Sequence, residues 1–117
     1  MDYGCGPGHV GRRVVDHFDQ LSLVDASADV VAALAEEVER VGSARSYQLD
    51  LTCDEPPEQV DCVFASMSFH HVCDTSALLD GLVSTLRPGG WLLVADFDAD
   101  PRGRLLGSRA GSARRPR

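Results

Sequence analysis

The sequence predicts an α/β fold built on a parallel sheet with helices on both faces. Three observations carry this. Short, continuously apolar runs at residues 21–25, 46–51, 60–65 and 91–96 have the length of buried parallel strands, and most end in an acid. Longer stretches between most of them repeat their apolar residues at helical spacing, so strands and helices alternate. The chain also opens on three alternating glycines, Gly4, Gly6 and Gly8, where a strand end meets the start of a helix.

Each element has its own local reason. Residues 1–4 read as the last turn of a first strand, because a parallel strand usually runs about five or six residues. From residue 7 to residue 18, Val10, Val14, Val15 and Phe18 mark the apolar face of a first helix, with Arg12, Arg13 and Asp16 opposite. The second strand ends in Asp25. Ser27 is the N-cap of a second helix, whose buried face is Val30, Val31, Leu34, Val38 and Val41 and whose stop is Gly42. The third strand, 46–51, carries Asp50 at its end. Adjacent prolines at 56 and 57 confine the next segment to a loop. A fourth strand follows at 60–65. Asp74 or Thr75 then caps a third helix reaching Leu86, packed through Leu78, Leu79, Leu82, Val83 and Leu86. Arg87-Pro88-Gly89-Gly90 is a turn into the fifth strand.

Composition narrows the function classes. A length of 117 residues makes one domain, too small for a cofactor domain plus a separate substrate domain. The net charge of −7 is uneven: residues 1–100 hold all 18 acids and five arginines, leaving −13, while residues 101–117 hold six arginines and no acid. So acidic a body repels phosphates and argues against a nucleic-acid partner. No apolar run approaches a membrane span and no signal-peptide pattern opens the chain, so no membrane partner and a cytoplasmic location are expected. Cys5, Cys53, Cys62 and Cys73 lack the paired spacing of zinc ligands, which leaves buried reduced thiols and no metal. The segment 99–117 has two large apolar residues among arginine, glycine, serine and alanine, and reads as a disordered basic tail after a domain spanning 1–98.

The glycine loop fits two cofactors. Gly6-Pro7-Gly8-His9-Val10-Gly11 matches the dinucleotide pattern GxGxxG, with Asp25 near the distance of a ribose-binding acid, so a nicotinamide-binding fragment is one reading. Three features favour another. Asp2 precedes the first glycine and Gly4 starts the series one step early; Asp50 ends a further strand; and there is no room for a hydride-transfer domain. A third, non-enzymatic reading is an interaction module whose basic tail docks on an acidic partner.

Taken together, these segments resemble the class I S-adenosylmethionine-dependent methyltransferases, whose sheet is Rossmann-like. Asp2-Tyr3-Gly4-Cys5-Gly6-Pro7-Gly8 is similar to the family's first motif, Leu23-Val24-Asp25-Ala26-Ser27 to its second, and Gln48-Leu49-Asp50-Leu51 to its third. The stretch from Phe64 to Val72, with Ser66, Met67, His70 and His71, resembles the fourth motif of small-molecule methyltransferases, and Leu86 to Leu93 the lead into the fifth strand. The resemblance covers about residues 1–98. It implies S-adenosyl-L-methionine as cofactor, with Asp2, Gly4, Cys5, Gly6 and Gly8 under its methionine part. Asp25 and Ala26 would lie at the ribose, Asp50 and the Leu51 amide at the adenine, and Ser66 and Met67 beside the sulfonium. His70 or His71 is the candidate base for the acceptor; the plainer reading has one histidine capping a turn and the other packing under the cofactor. The absence of an Asn/Asp-Pro-Pro-Tyr/Phe segment here favours a small-molecule acceptor.

Both ends depart from the family pattern. The first strand is a stub, the closing antiparallel hairpin is expected to be missing, and the change of composition after about Asp100 suggests a frameshift or an early gene end. Unpaired edges on either side of a stub predict marginal stability and lost activity. The sequence leaves the oligomeric state open.

Overall fold

The computed structural model describes residues 1–99 and 105–110. Along the chain come β1 (Asp2–Tyr3), α1 (His9–Val14) with a 3-10 turn at Val15–His17, β2 (Leu21–Asp25), α2 (Ala28–Val41), β3 (Ala44–Gln48) and β4 (Val60–Ser66). A second 3-10 turn at Phe69–His71 leads to α3 (Thr75–Thr85), β5 (Leu86–Ala99) and β6 (Leu105–Ala110). The strands form one sheet in the order β3-β2-β1-β4-β5-β6. The first five are parallel, and β6 runs antiparallel to β5.

β1 lies between β2 and β4, with Asp2 opposite Leu23 and Phe64 and Tyr3 opposite Val24 and Ala65. Its two residues are the expected stub, extended by Met1, whose amino group donates to the Cys62 carbonyl and whose own carbonyl accepts from Phe64 N–H. The chain winds from β1 toward β3 on one side and from β4 toward β6 on the other. A crevice therefore opens at the carboxyl ends of β1 and β4, where such sheets bind ligands.

Each face of the sheet has its own core. On one side Tyr3, Val24, Val63 and Leu92 pack under Leu78 and Leu82 of α3; on the other Cys5, Leu21, Leu23 and Ala44 pack under Leu34 of α2. Ser27 caps α2 by accepting from Val30 N–H at 3.4 Å, Gly42 ends it at φ 68°, and Asp74 caps α3 by accepting from Ala77 N–H at 2.9 Å. Gly81 explains how α3 comes so close to the 49–53 segment: a Cβ there would lie 2.1 Å from the Leu51 carbonyl oxygen.

The structure corrects several expectations. The largest concerns the tail: Leu105–Ala110 is a strand, with Ala95 opposite Ala110 and Ala99 opposite Leu105, so a closing antiparallel strand is present in that stretch. Composition argued for disorder because few apolar groups are available; pairing with the otherwise open edge of β5 supplies backbone hydrogen bonds that composition does not register. The rest of the expected tail, 100–104 and 111–117, lies outside the described residues. β3 sits two residues earlier than expected, because the Leu21 amide donates to Ser43 O and Asp50 belongs to the following turn. β5 begins at Leu86, and the expected turn at 87–90 is an irregularity within it, between the pairings Val60–Leu86 and Cys62–Trp91. The first helix is shorter than residues 7–18. The buried stripes of the helices are also narrower than their apolar sequences, since Val10, Phe18, Val41, Leu79 and Val83 are exposed. Of the four free cysteines only Cys5 is buried; Cys62 is half-buried, and Cys53 and Cys73 are exposed.

Candidate functional site

The crevice at the switch of strand order is a cavity of about 840 Å³. Its wall contains Asp2, Gly4, Cys5, Gly6, Asp25, Ala26, Asp50, Ser66 and Met67, all named from the sequence, together with His71. Gly8, Leu51 and His70 are outside it. Gly8 caps α1 in a left-handed conformation, Leu51 turns its side chain into the core, and His70 sits one step behind His71. Tyr3, Thr52, Ser68, Cys73 and Asp74 also line the cavity. The motifs that single out their neighbours give no separate signal for them.

The loop after β1 is shaped by two glycines. Gly4 (φ 66°) faces the β4 loop so closely that a Cβ would lie 2.4 Å from Ser68 Cβ, whereas at Gly6 (φ 50°) no atom lies within 4 Å of that position. Gly4 is thus required by both backbone and space, and Gly6 by backbone alone. The facing loop carries a matching outlier, since Met67 is non-glycine with φ 56° and its N–H donates to Ala95 O at 2.7 Å. Left-handed residues therefore shape both opposing walls of the crevice.

Asp25 ends β2 and bridges loop and helix. Its Oδ2 accepts from Gly6 N–H and its Oδ1 from Ser27 N–H, each at 3.0 Å. Both oxygens are fixed in place, and each keeps a lone pair for a further donor. Asp50 is held on one oxygen only, where Oδ1 accepts from the Thr52 hydroxyl (2.6 Å) and amide (3.0 Å). Those two bonds, hydroxyl first, hold its carboxyl below the ordinary range. Asp50 thus closes a turn, while Asp25 orders a loop as well as the approach to α2.

Asp2 is almost wholly buried. Burial pushes its carboxyl up to about 6, against the opposing pull of the N-terminal ammonium and the Gly11 amide. Its Oδ2 and the Ser68 hydroxyl are buried polar atoms with no hydrogen-bond partner. Cys5 is pushed up to about 12, by burial first and then by Asp2 and Asp25, which keeps it a neutral thiol at the floor of the loop. Among the described residues no three His, Cys, Asp or Glu side chains converge as a metal site, and no helix is long and apolar enough to cross a membrane.

These features fit a cofactor that combines a nucleoside with a charged amino-acid end: a glycine cradle, a fixed strand-end acid for a diol, a second acid across the cavity, and a buried carboxylate beneath the loop. Comparisons with known proteins agree. A methyltransferase-domain family profile matches residues 1–92. The chain is 31% identical over 116 residues to a trans-aconitate 2-methyltransferase of Azoarcus, covering 95% of this chain and 44% of that protein. It is 30% identical over 107 residues to an uncharacterised methyltransferase of Schizosaccharomyces pombe, covering 83% and 38%. Among solved structures, the DhpI complex with S-adenosylmethionine superposes with a TM-score of 0.74 at 25% identity, over 86% of this chain and 47% of that one. The chain thus spans less than half the length of these relatives. The family profile matches most of the chain, and the chain belongs to the class I S-adenosylmethionine-dependent methyltransferase domains.

Proposed function

We propose that this domain binds S-adenosylmethionine in the crevice between the β1 and β4 loops and serves methyl transfer to a small-molecule acceptor. The observation that carries the reading is the convergence of loop 4–8, Asp25 and Asp50 on one cavity. Asp25 accepts the two ribose hydroxyl protons, one on each fixed oxygen. Asp50 offers the oxygen that Thr52 leaves open to the adenine amino group, and the adenine contact expected of Leu51 falls to its backbone amide. Asp2, ionised above about pH 6, places a negative charge under the loop for the ammonium of the amino-acid end. Gly4, Cys5 and Gly6 let backbone approach that end, and Gly8 supports the turn from behind.

When bound, the cofactor supplies a methyl group activated on a sulfonium. The protein's task is to orient the acceptor and exclude water. Ser66 and Met67 form the wall beside the reacting groups. His71, a residue of the cavity wall, takes the acceptor's proton, and His70, whose ring lies against it, supports it. The small-molecule acceptor is supported by the Ser66-Met67-Ser68-Phe69 sequence at the fourth motif and by the acidic body of the domain. The test is calorimetric titration with S-adenosylhomocysteine and, separately, NAD. Saturable binding of the first alone is expected; binding of NAD alone would sink the reading in favour of a dinucleotide domain.

A further inference from the structure

Asp96 lies near the carboxyl end of β5, 26 positions from His70, and no motif marks it. Its carboxylate nevertheless gathers the whole β4 loop. Oδ2 accepts from the Phe69 amide at 2.7 Å and from the His70 amide at 3.3 Å, while Oδ1 accepts from the Phe97 amide and lies against His70 Nδ1, both at 2.8 Å. The side chain is 11% exposed, so these contacts are poorly solvated. Burial pushes the carboxyl up, but the bonds from Phe97, His70 and Phe69 more than offset it and hold it below its ordinary value. An ionised carboxylate only accepts, so the ring nitrogen facing it carries a proton, and in the neutral ring that leaves Nε2 as the bare nitrogen. The His70 ring is fixed on two further sides. It meets Phe97 edge-on at 5.1 Å and lies 4.0 Å from the His71 ring at 43°.

We propose that Asp96 is a positioning residue: it fixes His70 as the Nδ1–H tautomer and, through that ring, seats His71 in the cavity wall. The inference rests on the acceptor-side role given to His71 above. One carboxylate on β5 thereby sets backbone, tautomer and ring packing of the β4 loop together. Asp96 itself is not part of the cavity wall. Its effect passes through His70, as a carboxylate behind a histidine fixes which nitrogen is free.

The test is long-range 1H–15N NMR of the full 117-residue chain in mildly alkaline buffer. His70 is expected to show a protonated Nδ1 and a bare Nε2; an Nε2–H ring, or an even mixture, overturns the proposal. In Asp96→Ala the His70 tautomer should change and the His71 ring signals should move, while the Gly6 and Ser27 amides bound to Asp25 stay in place. An unchanged His70 tautomer in that variant also overturns it. Should Asp96→Ala not fold, the wild-type spectrum still decides, and His70→Ala supplies the second half, since unmoved His71 signals there count against the coupling. Titrating S-adenosylhomocysteine into the same sample tests the cofactor reading separately: static Gly6 and Ser27 amides would remove that reading and leave the tautomer result standing.

Discussion

Replacing Gly4 with alanine perturbs the loop in two separable ways, and the structure gives a size for each. The backbone at φ 66° lies where a Cβ costs about 1–2 kcal/mol. The new methyl would also lie 2.4 Å from Ser68 Cβ, far inside ordinary contact. Relieving such overpacking costs about 1–3 kcal/mol, because Ser68 is buried and its loop is tied down by Asp96. The stiffer unfolded chain returns about 0.4–1 kcal/mol, which leaves a net loss of about 2–4 kcal/mol. Gly6→Ala is the internal control. Its φ of 50° carries the backbone cost, but no atom lies within 4 Å of the added methyl, so its loss should stay below about 1.5 kcal/mol.

The assay is urea denaturation followed by far-UV circular dichroism, with Ser68→Gly and the Gly4→Ala/Ser68→Gly pair completing a double-mutant cycle. The steric part should reappear as a coupling of at least about 1 kcal/mol, because removing Ser68 Cβ makes room for the new one. If Gly4→Ala costs no more than Gly6→Ala, or if the cycle shows no coupling, the loops do not interlock and Gly4 is needed for its dihedral alone.

Three further outcomes follow from the same geometry. Asp25→Ala removes a charged acceptor and the anchor of Gly6 and Ser27, so calorimetry should show S-adenosylhomocysteine bound about ten- to a hundredfold more weakly. For Asp2, the folded value of about 6 lies above the usual 3.8, so the native state holds this proton more tightly. Its stabilising contribution is present below about pH 4 and is lost as pH rises to 6, by up to about 3 kcal/mol, and the difference between wild type and Asp2→Asn in pH-dependent melts should show that slope. Alanine for glycine inside a helix ordinarily stabilises, yet Gly81→Ala should lower the denaturation midpoint, since its methyl would meet the Leu51 carbonyl oxygen at 2.1 Å; a raised midpoint would contradict the close approach of α3.

The cofactor side of the crevice was legible because its signals are local. A glycine series after a strand, an acid at the end of the next, and another acid near the end of the third are each set by backbone within a few residues, and their spacing survives the two-residue displacement of β3. What escaped depends on pairs far apart in sequence. Gly4 and Ser68 meet across 64 positions, Gly81 and Leu51 across 30, and Asp96 reaches back 26 to His70, and none of these contacts leaves a periodic trace. β6 escaped for a related reason: its ordering comes from the edge of β5, and a composition argument weighs side chains only.

This division bears on how the two walls of the site work. Asp25 is tied on both oxygens by amides from its own βα connection and from loop 4–8, so this wall is fixed by elements that the fold must form in any case. The opposite wall, from Met67 to His71, has a strained residue at its start, tied to Ala95 O, and its Phe69 and His70 are held by one carboxylate from β5. Substitutions near the end of β5 should therefore reshape this wall while the Gly6 and Ser27 amides stay held by Asp25.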